Sequence, residues 1–137
     1  MEDIKPREVA WRFDGRDWVL RCNNNVLAEV QEINGGDFSP ILSRKRTLKS
    51  VLQLLAAMLN DYADEQKWVD EKGFAIQYTE KQLGRRLSLG TIERLAPDVM
   101  RMAILAVRDA EAENSSADEK NAETRQEEAA VSTSPGI

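Results

Sequence analysis

Four acidic side chains are spaced so that they could hold a divalent metal ion. Glu29 and Glu32 lie three residues apart in one predicted helix, and Asp61 and Asp64 repeat that spacing in another. Residues three apart share one face of a helix, so each pair would direct its carboxylates the same way. Carboxylate oxygens are the ligands that Mg²⁺ prefers, and such a site suits metal-dependent hydrolysis. With 24 acids in the chain, however, the same spacings also arise by chance on solvated helix faces.

The residues that the chain lacks exclude most other catalytic and metal sites. There is no histidine, which removes the commonest general base, the usual partner of a nucleophilic Ser or Cys, and the commonest transition-metal ligand. Cys22 is the only cysteine, so no intrachain disulfide can form and a reducing compartment fits. Apart from the carboxylates, we therefore expect no catalytic residues, no metal ligands and no cofactor, and a protein that is not an enzyme.

A basic segment offers a different kind of site, for DNA. Residues 79–95, TEKQLGRRLSLGTIERL, resemble a helix-turn-helix, whose second helix would present side chains to a DNA groove. Arg85, Arg86 and Arg94 would then contact the DNA. Against this, Pro97 predicts that the second helix is interrupted after little more than one turn, and an acidic C-terminus would weaken phosphate binding. We therefore keep a small DNA-binding regulator as the alternative function.

A β-hairpin is predicted over about residues 9–22. Asp14-Gly15 is a turn pair that a two-residue type I′ loop favours. The resulting register pairs Phe13 with Arg16, Arg12 with Asp17, Trp11 with Trp18, and Val9 with Leu20. It places an ion pair on one face and aromatic and aliphatic pairs on the other. The apolar face must pack on helices, because two strands alone are only marginally stable in water.

Four helices are predicted after the hairpin from apolar residues at helical spacing. Their approximate limits are 25–34, 47–66, 79–88 and 97–112. Thr79 and Gln82 form a capping-box pattern at the start of the third helix, and Pro97 suits the first turn of the fourth, after a turn at residues 89–91. The predicted fold class is mainly α: a small helical domain with a short N-terminal β-hairpin.

Charge divides the chain into a near-neutral body and an acidic end. From Asp109 onward there are 8 acids and 2 bases, whereas residues 1–108 hold 16 acids and 17 bases. Beyond Asn114 large apolar side chains are almost absent, so the segment cannot bury enough surface to offset its ordering entropy. We expect one domain at residues 1–113 and a disordered acidic tail at residues 114–137. The near-neutral body predicts no specific binding of nucleic acid.

No membrane association is expected either. The longest apolar run, Leu54 to Leu59, is far shorter than the roughly 20 residues that cross a bilayer. The N-terminal residues MEDIKPREVAW lack the apolar core of a secretory signal, which favours the cytoplasm.

The order of parts from Ile33 to Glu113 resembles the tail assembly chaperones of long-tailed (siphovirus-type) bacteriophages. The resemblance rests on four segments: EINGGDFSPILS, LKSVLQLLAAMLNDYADE, YTEKQLGRRLS and IERLAPDVMRMAILAVRDAEAE. They correspond to a short helix before a glycine turn, a long Leu/Ala/Met-rich helix, a short capped helix and a last amphipathic helix. The match covers roughly 80 residues and depends on helix periodicity more than on rare residues. The Trp-rich hairpin departs from the all-α plan of that family.

The resemblance implies a non-enzymatic assembly factor that acts in the host cytoplasm and is absent from the mature virion. Its partners would be the long helical tape measure protein and the tail tube protein, whose subunits it helps to recruit. A flexible acidic extension suits such recruitment, and self-association is left open. A metal-dependent all-α nucleotide pyrophosphatase, built on the four carboxylates, is the third option.

Five apolar residues are the candidates for binding these partners. Leu54 and Met58 widen the apolar arc of the long helix, and Met102 and Leu105 do the same on the last helix. Wide stripes that contain Met suit an adaptable groove for a partner helix, although such residues more often pack in a core. Trp68, in a charged connection, could anchor a partner.

Overall fold

The fold consists of an N-terminal hairpin followed by helices. The computed structural model describes residues 7–38, 41 and 46–133, with side chains through Glu113. Within these ranges the elements are β1 (Glu8–Phe13), β2 (Arg16–Arg21), α1 (Asn24–Ile33), α2 (Leu48–Gln66), α3 (Glu80–Arg86) and α4 (Leu89–Thr133). The mainly α fold with a two-stranded N-terminal hairpin confirms the predicted class.

The hairpin has the predicted turn and the predicted register. Asp14 and Gly15 both adopt positive φ, at 53° and 74°, as a type I′ turn requires. Phe13 lies opposite Arg16, and the pairing continues to Glu8 opposite Arg21. Strand β2 carries the buried side chains of the hairpin, Trp18 and Leu20, which are 1% and 0% exposed. Trp18 and Leu20 are alternate residues, so they point to the same face of the strand, and this face packs into the core.

Helix α2 lies at the centre of the fold. It contacts β2, α1 and α3, and burial extends around most of its circumference rather than along one stripe. A helix with neighbours on several sides needs apolar residues on several sides. Its buried residues are Ser50, Val51, Gln53, Leu54, Leu55, Ala56, Ala57, Met58, Leu59 and Ala63.

Side-chain caps determine where helices α1, α2 and α3 begin. Asn23 caps α1 by accepting a hydrogen bond from the amide of Val26. Thr47 and Ser50 form a capping box on α2. The predicted capping box of α3 is confirmed, since Thr79 and Gln82 each accept a bond from the other's amide.

Helix α4 begins earlier than predicted and runs through Pro97. The predicted turn at residues 89–91 is instead the first turn of the helix, where the hydroxyl of Ser88 accepts the amide of Thr91 at 3.2 Å. Pro97 lies on the exposed side, where water can satisfy the carbonyl that loses its partner. The buried stripe keeps its spacing of three and four across the proline, which holds both halves of the helix on the same core. Its members are Ile92, Leu95, Ala96, Val99, Met100 and Ala103.

The chain forms two compact units, Met1–Ala106 and Val107–Ile137. The backbone of α4 is helical as far as Thr133, so it covers most of the segment for which the sequence predicts disorder. Side chains beyond Glu113 lie outside the described part of the chain, and the disordered tail stays a prediction. Within the described residues, no helix is long and apolar enough to cross a membrane.

Candidate partner-binding site

The connection between α2 and α3, residues 67–78, is an ordered loop that we call the Trp68 loop. It begins at a Schellman motif: the amide of Trp68 donates to the carbonyl of Ala63 at 3.0 Å, and that of Lys67 to Asp64 at 3.1 Å. Lys67 takes the left-handed conformation that this motif requires, with φ of 57°. The chain therefore leaves α2 in a defined direction.

Trp68 holds the start of the loop against the hairpin and α2. Its ring meets the Trp18 ring edge-on at a centroid distance of 5.0 Å and the Tyr62 ring at 5.5 Å. The Arg16 guanidinium lies 4.8 Å from the Trp68 ring centroid, within cation–π range. Trp68 is half-buried by these contacts. It acts as an anchor of the loop as well as a part of its surface.

The tip of the loop is a tight turn over residues 70–73. One carboxylate oxygen of Asp70 accepts the amides of Lys72 and Phe74 at 2.8 and 3.0 Å. Gly73 donates to the Asp70 carbonyl and has a φ of 84°, a conformation that glycine adopts without a steric penalty. Val69 pairs with Ala75 across the turn. The loop thus has the backbone pairing of a miniature hairpin.

Asn60 and Asp14 fix the far end of the loop at Tyr78. The side chain of Asn60 accepts the Tyr78 amide at 2.7 Å and donates to its carbonyl at 2.9 Å. The Tyr78 hydroxyl donates to Asp14 at 2.6 Å, and Arg86 donates to both oxygens of the same carboxylate at 2.7 and 3.2 Å. The loop is therefore tied to α2, to the hairpin turn and, through Asp14, to α3.

Hydrogen bonds and burial shift the pKa values of Asp14 and Tyr78 in this network. Hydrogen bonds from Arg86 and Tyr78 lower the pKa of Asp14 to about 2. Burial, together with the bond to Asp14, raises the pKa of Tyr78 to about 12. Asp14 is therefore ionised and Tyr78 protonated across the physiological range. The network has a structural role and keeps one set of hydrogen bonds throughout that range.

The loop exposes large apolar side chains from this fixed backbone. Phe74 is 68% exposed and Val69 is 50% exposed. A cavity of about 540 Å³ is lined by Val69 but not by Phe74, and its other lining residues include Arg16 and Tyr78. Exposed apolar side chains near a concave surface suit the binding of another protein chain. Because the loop backbone is already ordered, binding would lose little backbone entropy.

The structure places three of the five predicted partner-binding residues in the core. Leu54 and Met58 are 1% exposed and Met102 is 3% exposed, so no partner can contact them in this conformation. The prediction of a groove along these residues is wrong, because α2 is surrounded and needs apolar residues around most of its circumference. Leu105 is half-buried. Trp68 alone of the five lies in the Trp68 loop.

Sequence reasoning missed Phe74 and Val69, although a signal was present. The loop reads WVDEKGFAI, with Asp70 and Gly73 at the first and last positions favoured in a type I turn. Apolar residues immediately on both sides of such a turn indicate a small hairpin. The prediction of an irregular connection here is therefore incomplete, because the segment forms a small turn that exposes Phe74 and Val69.

The four carboxylates do not form a metal centre. Glu29, Asp61 and Asp64 line a second cavity of about 380 Å³, but the Asp61 carboxylate accepts hydrogen bonds from the side-chain Nδ2 groups of Asn23 and Asn25 at 2.6 and 3.1 Å. Burial and the nearby charges of Asp61 and Glu32 raise the pKa of Glu29. Among the residues whose placement is described, no group of three or more potential ligands could hold a metal ion.

The predicted DNA-contacting arginines lie at the junction of α3 and α4. Pro97 does not interrupt the second helix as predicted, since α4 continues through it. Arg86 is engaged by Asp14, with its guanidinium 5.0 Å from the Phe13 ring centroid. Arg94 donates to the hydroxyl of Thr91. Arg85 is exposed, and it is the member of the three best placed to meet an external anion.

Comparison with known proteins finds no matching family model, no matching curated relative and no matching solved structure.

Proposed function

We propose that this protein is a tail assembly chaperone of a long-tailed bacteriophage. In this role it binds the tape measure protein, helps to recruit tail tube subunits in the host cytoplasm, and is absent from the mature virion. The observation that carries a binding role is the Trp68 loop, which exposes Phe74 and Val69 from a hydrogen-bonded backbone. The helical plan that resembles the chaperone family supports the choice of partners.

The loop suits this role because little order has to be gained on binding. Aromatic side chains supply much of the affinity at protein interfaces. A backbone that is already fixed leaves only side chains to be ordered on binding, at a cost of about 0.5–1.5 kcal/mol each. The adjacent cavity can accept one side chain of a partner. A partner's basic or polar side chain would meet Asp70 and Glu71 there, since both line the cavity.

A pull-down with the tape measure protein and the tail tube protein tests the proposal. Phe74→Asp should abolish capture while the protein stays folded, because the side chain lies in solvent. Leu89→Asp is a matched control, since Leu89 is a comparably exposed apolar residue, 62% against 68%, outside the loop. Capture lost with Leu89→Asp and retained with Phe74→Asp would place the binding surface at the start of α4. Capture of neither protein by the wild type would reject the chaperone role.

The uninterrupted α4 favours DNA binding as a second candidate function. A two-residue connection, Leu87-Ser88, joins α3 to α4, and a helix that continues through Pro97 is long enough to lie in a major groove. Gel shifts with duplex DNA at physiological salt test it, with Arg85→Ala as the variant. Sequence-specific retardation that is lost in Arg85→Ala would favour this function over the chaperone, whereas weak binding that salt removes would not.

A further inference from the structure

Strand β1 has an open edge. The sheet has two strands, and among the described residues β1 pairs with β2 alone. Every residue of β1 is exposed or half-buried, whereas β2 buries Trp18 and Leu20. On the apolar face of β1, Val9, Trp11 and Phe13 are half-buried. Among the described residues, this strand therefore has no strand paired along its outer edge.

The hairpin register fixes which backbone groups point outward. Phe13 and Arg16 close the two-residue turn, so they form a hydrogen-bonded pair, as do Trp11 with Trp18 and Val9 with Leu20. The amides and carbonyls of Glu8, Ala10 and Arg12 consequently point away from β2. A further strand would have to pair with these three residues.

These three residues are complementary to themselves. When a second β1 is placed antiparallel about a two-fold axis at Ala10, Ala10 meets its own copy, and Glu8 meets Arg12 of the second copy at both ends. This register allows hydrogen bonds between the two strands, since the backbone amides and carbonyls of Glu8, Ala10 and Arg12 all point away from β2. The small side chain of Ala10 leaves room at the axis. On the other face, Val9 comes opposite Trp11 of the second copy and covers part of it.

The charges then alternate across the four strands. Within the hairpin, Glu8 lies opposite Arg21, and Arg12 lies opposite Asp17 with an ion pair of 2.9 Å. Each of the two charged rows would read Arg21, Glu8, Arg12 of the second copy and Asp17 of the second copy. No like charges become neighbours in this row. Edge strands often resist association through Pro, a bulge or exposed charges. β1 has neither Pro nor a bulge, and its two charges, Glu8 and Arg12, meet opposite charges in this arrangement.

We propose that β1 is a self-association edge, and that two copies of this chain join their hairpins into one four-stranded antiparallel sheet centred on Ala10. The interface is isologous, so it closes at two copies. Six residues per strand bury little area, and association is correspondingly weak. The inference does not depend on the chaperone role.

Sedimentation equilibrium of the full chain over about 5–500 µM, the range expected for a small interface, measures the association. Ala10→Pro removes an amide that faces outward and is not needed by β2, so it should abolish the dimer and keep the hairpin. Ala10→Thr retains that amide and should still dimerise. Circular dichroism and tryptophan fluorescence confirm that both variants are folded. A wild type that stays monomeric throughout, which would leave the edge for a strand of another protein, overturns the proposal, as does an Ala10→Pro variant that still dimerises.

A complementation experiment tests the register. Glu8→Lys places lysine opposite Arg12 of the second copy, and Arg12→Glu places glutamate opposite Glu8, so each variant alone should associate at least about tenfold more weakly. Mixed together, the two variants pair opposite charges at both ends of the interface, so the mixture should associate more tightly than either variant alone. Recovery should fall short of the wild type, because each substitution also sets a like charge opposite Arg21 or Asp17 within its own hairpin. Loss of folding could not produce that recovery. Two variants that dimerise as well alone as the wild type, or that fail to recover when mixed, overturn the register.

Discussion

Helix α2 and the Trp68 loop that follows it use large apolar side chains in opposite ways. In α2, Leu54 and Met58 are buried because β2, α1 and α3 surround the helix. In the loop, Phe74 and Val69 lie in solvent because hydrogen bonds and the Trp68 ring hold the backbone without them. The width of an apolar arc therefore indicates how many neighbours a helix has. It does not indicate a surface left for a partner.

The largest expected effect comes from placing a charge in α2. Met58→Asp buries an unpaired carboxylate, and we expect it to cost roughly 4 kcal/mol or more, a large part of a typical domain's stability. Phe74→Asp places the same group in solvent and should leave the fold unchanged. Thermal melts followed by circular dichroism separate the two variants. If Met58→Asp melts like the wild type, the distinction between the two regions fails and a groove on α2 becomes possible again.

The next effect concerns what keeps the loop fixed. Asn60→Ala removes both hydrogen bonds to the Tyr78 backbone, with an expected loss of about 1–3 kcal/mol in the free energy of unfolding. Amide hydrogen exchange should quicken in the Trp68 loop. Asn25→Ala is the matched control, because it removes one exposed bond to Asp61 and leaves the loop untouched. Equal effects of the two substitutions would show that the loop does not depend on Asn60.

Local chemistry made part of this fold predictable. The Asp14-Gly15 turn sets the register of the whole hairpin, and Thr79 with Gln82 marks the start of α3, because both patterns act over a few residues. The continuity of α4 was missed although the apolar spacing persists across Pro97, since a proline on the exposed side of a helix is tolerated when tertiary packing holds both halves.

The candidate site was harder to predict because it depends on distant residues. Trp68 was identified from its setting, but its partner Trp18 lies fifty residues away in the hairpin. Likewise, nothing near Met58 in the sequence shows that it is 1% exposed in the folded protein. The exposure of a side chain depends on which elements pack around it in the folded protein, and apolar periodicity alone does not predict that.

A smaller effect is expected from pH, through the link between the hairpin turn and the loop. In the folded protein the pKa of Asp14 is about 2, below its ordinary value of 3.8. Ionised Asp14 therefore stabilises the fold above about pH 4, and this stabilisation is lost as the pH falls from about 4 to 2. Asp14 and Arg86 are 42% and 43% exposed, so water screens the pair and the change should be smaller than for Asn60→Ala.

The measurement is the melting temperature of the wild type and of Asp14→Asn between pH 5 and pH 2. The difference between them should shrink as the pH falls through this window. Because other carboxylates titrate in both proteins, only the difference reports on Asp14. A difference that stays constant would show that the pair with Arg86 does not contribute.

The smallest effect is expected at the C-terminal segment, a third region that has few apolar side chains either to bury or to expose. Residues 114–137 contain Ser, Ala, Glu, Asp and Thr in place of a continued apolar stripe. Deleting them should therefore shift the melting temperature by no more than about 3 °C, since residues without buried partners contribute little to stability. A large drop would show that the segment packs on the rest of the chain and that the predicted boundary at residue 113 is wrong. If stability is unchanged but capture of the tail tube protein is lost, while capture of the tape measure protein persists, the two partners use different regions. The Trp68 loop would then hold the tape measure protein, and the acidic segment would recruit tube subunits.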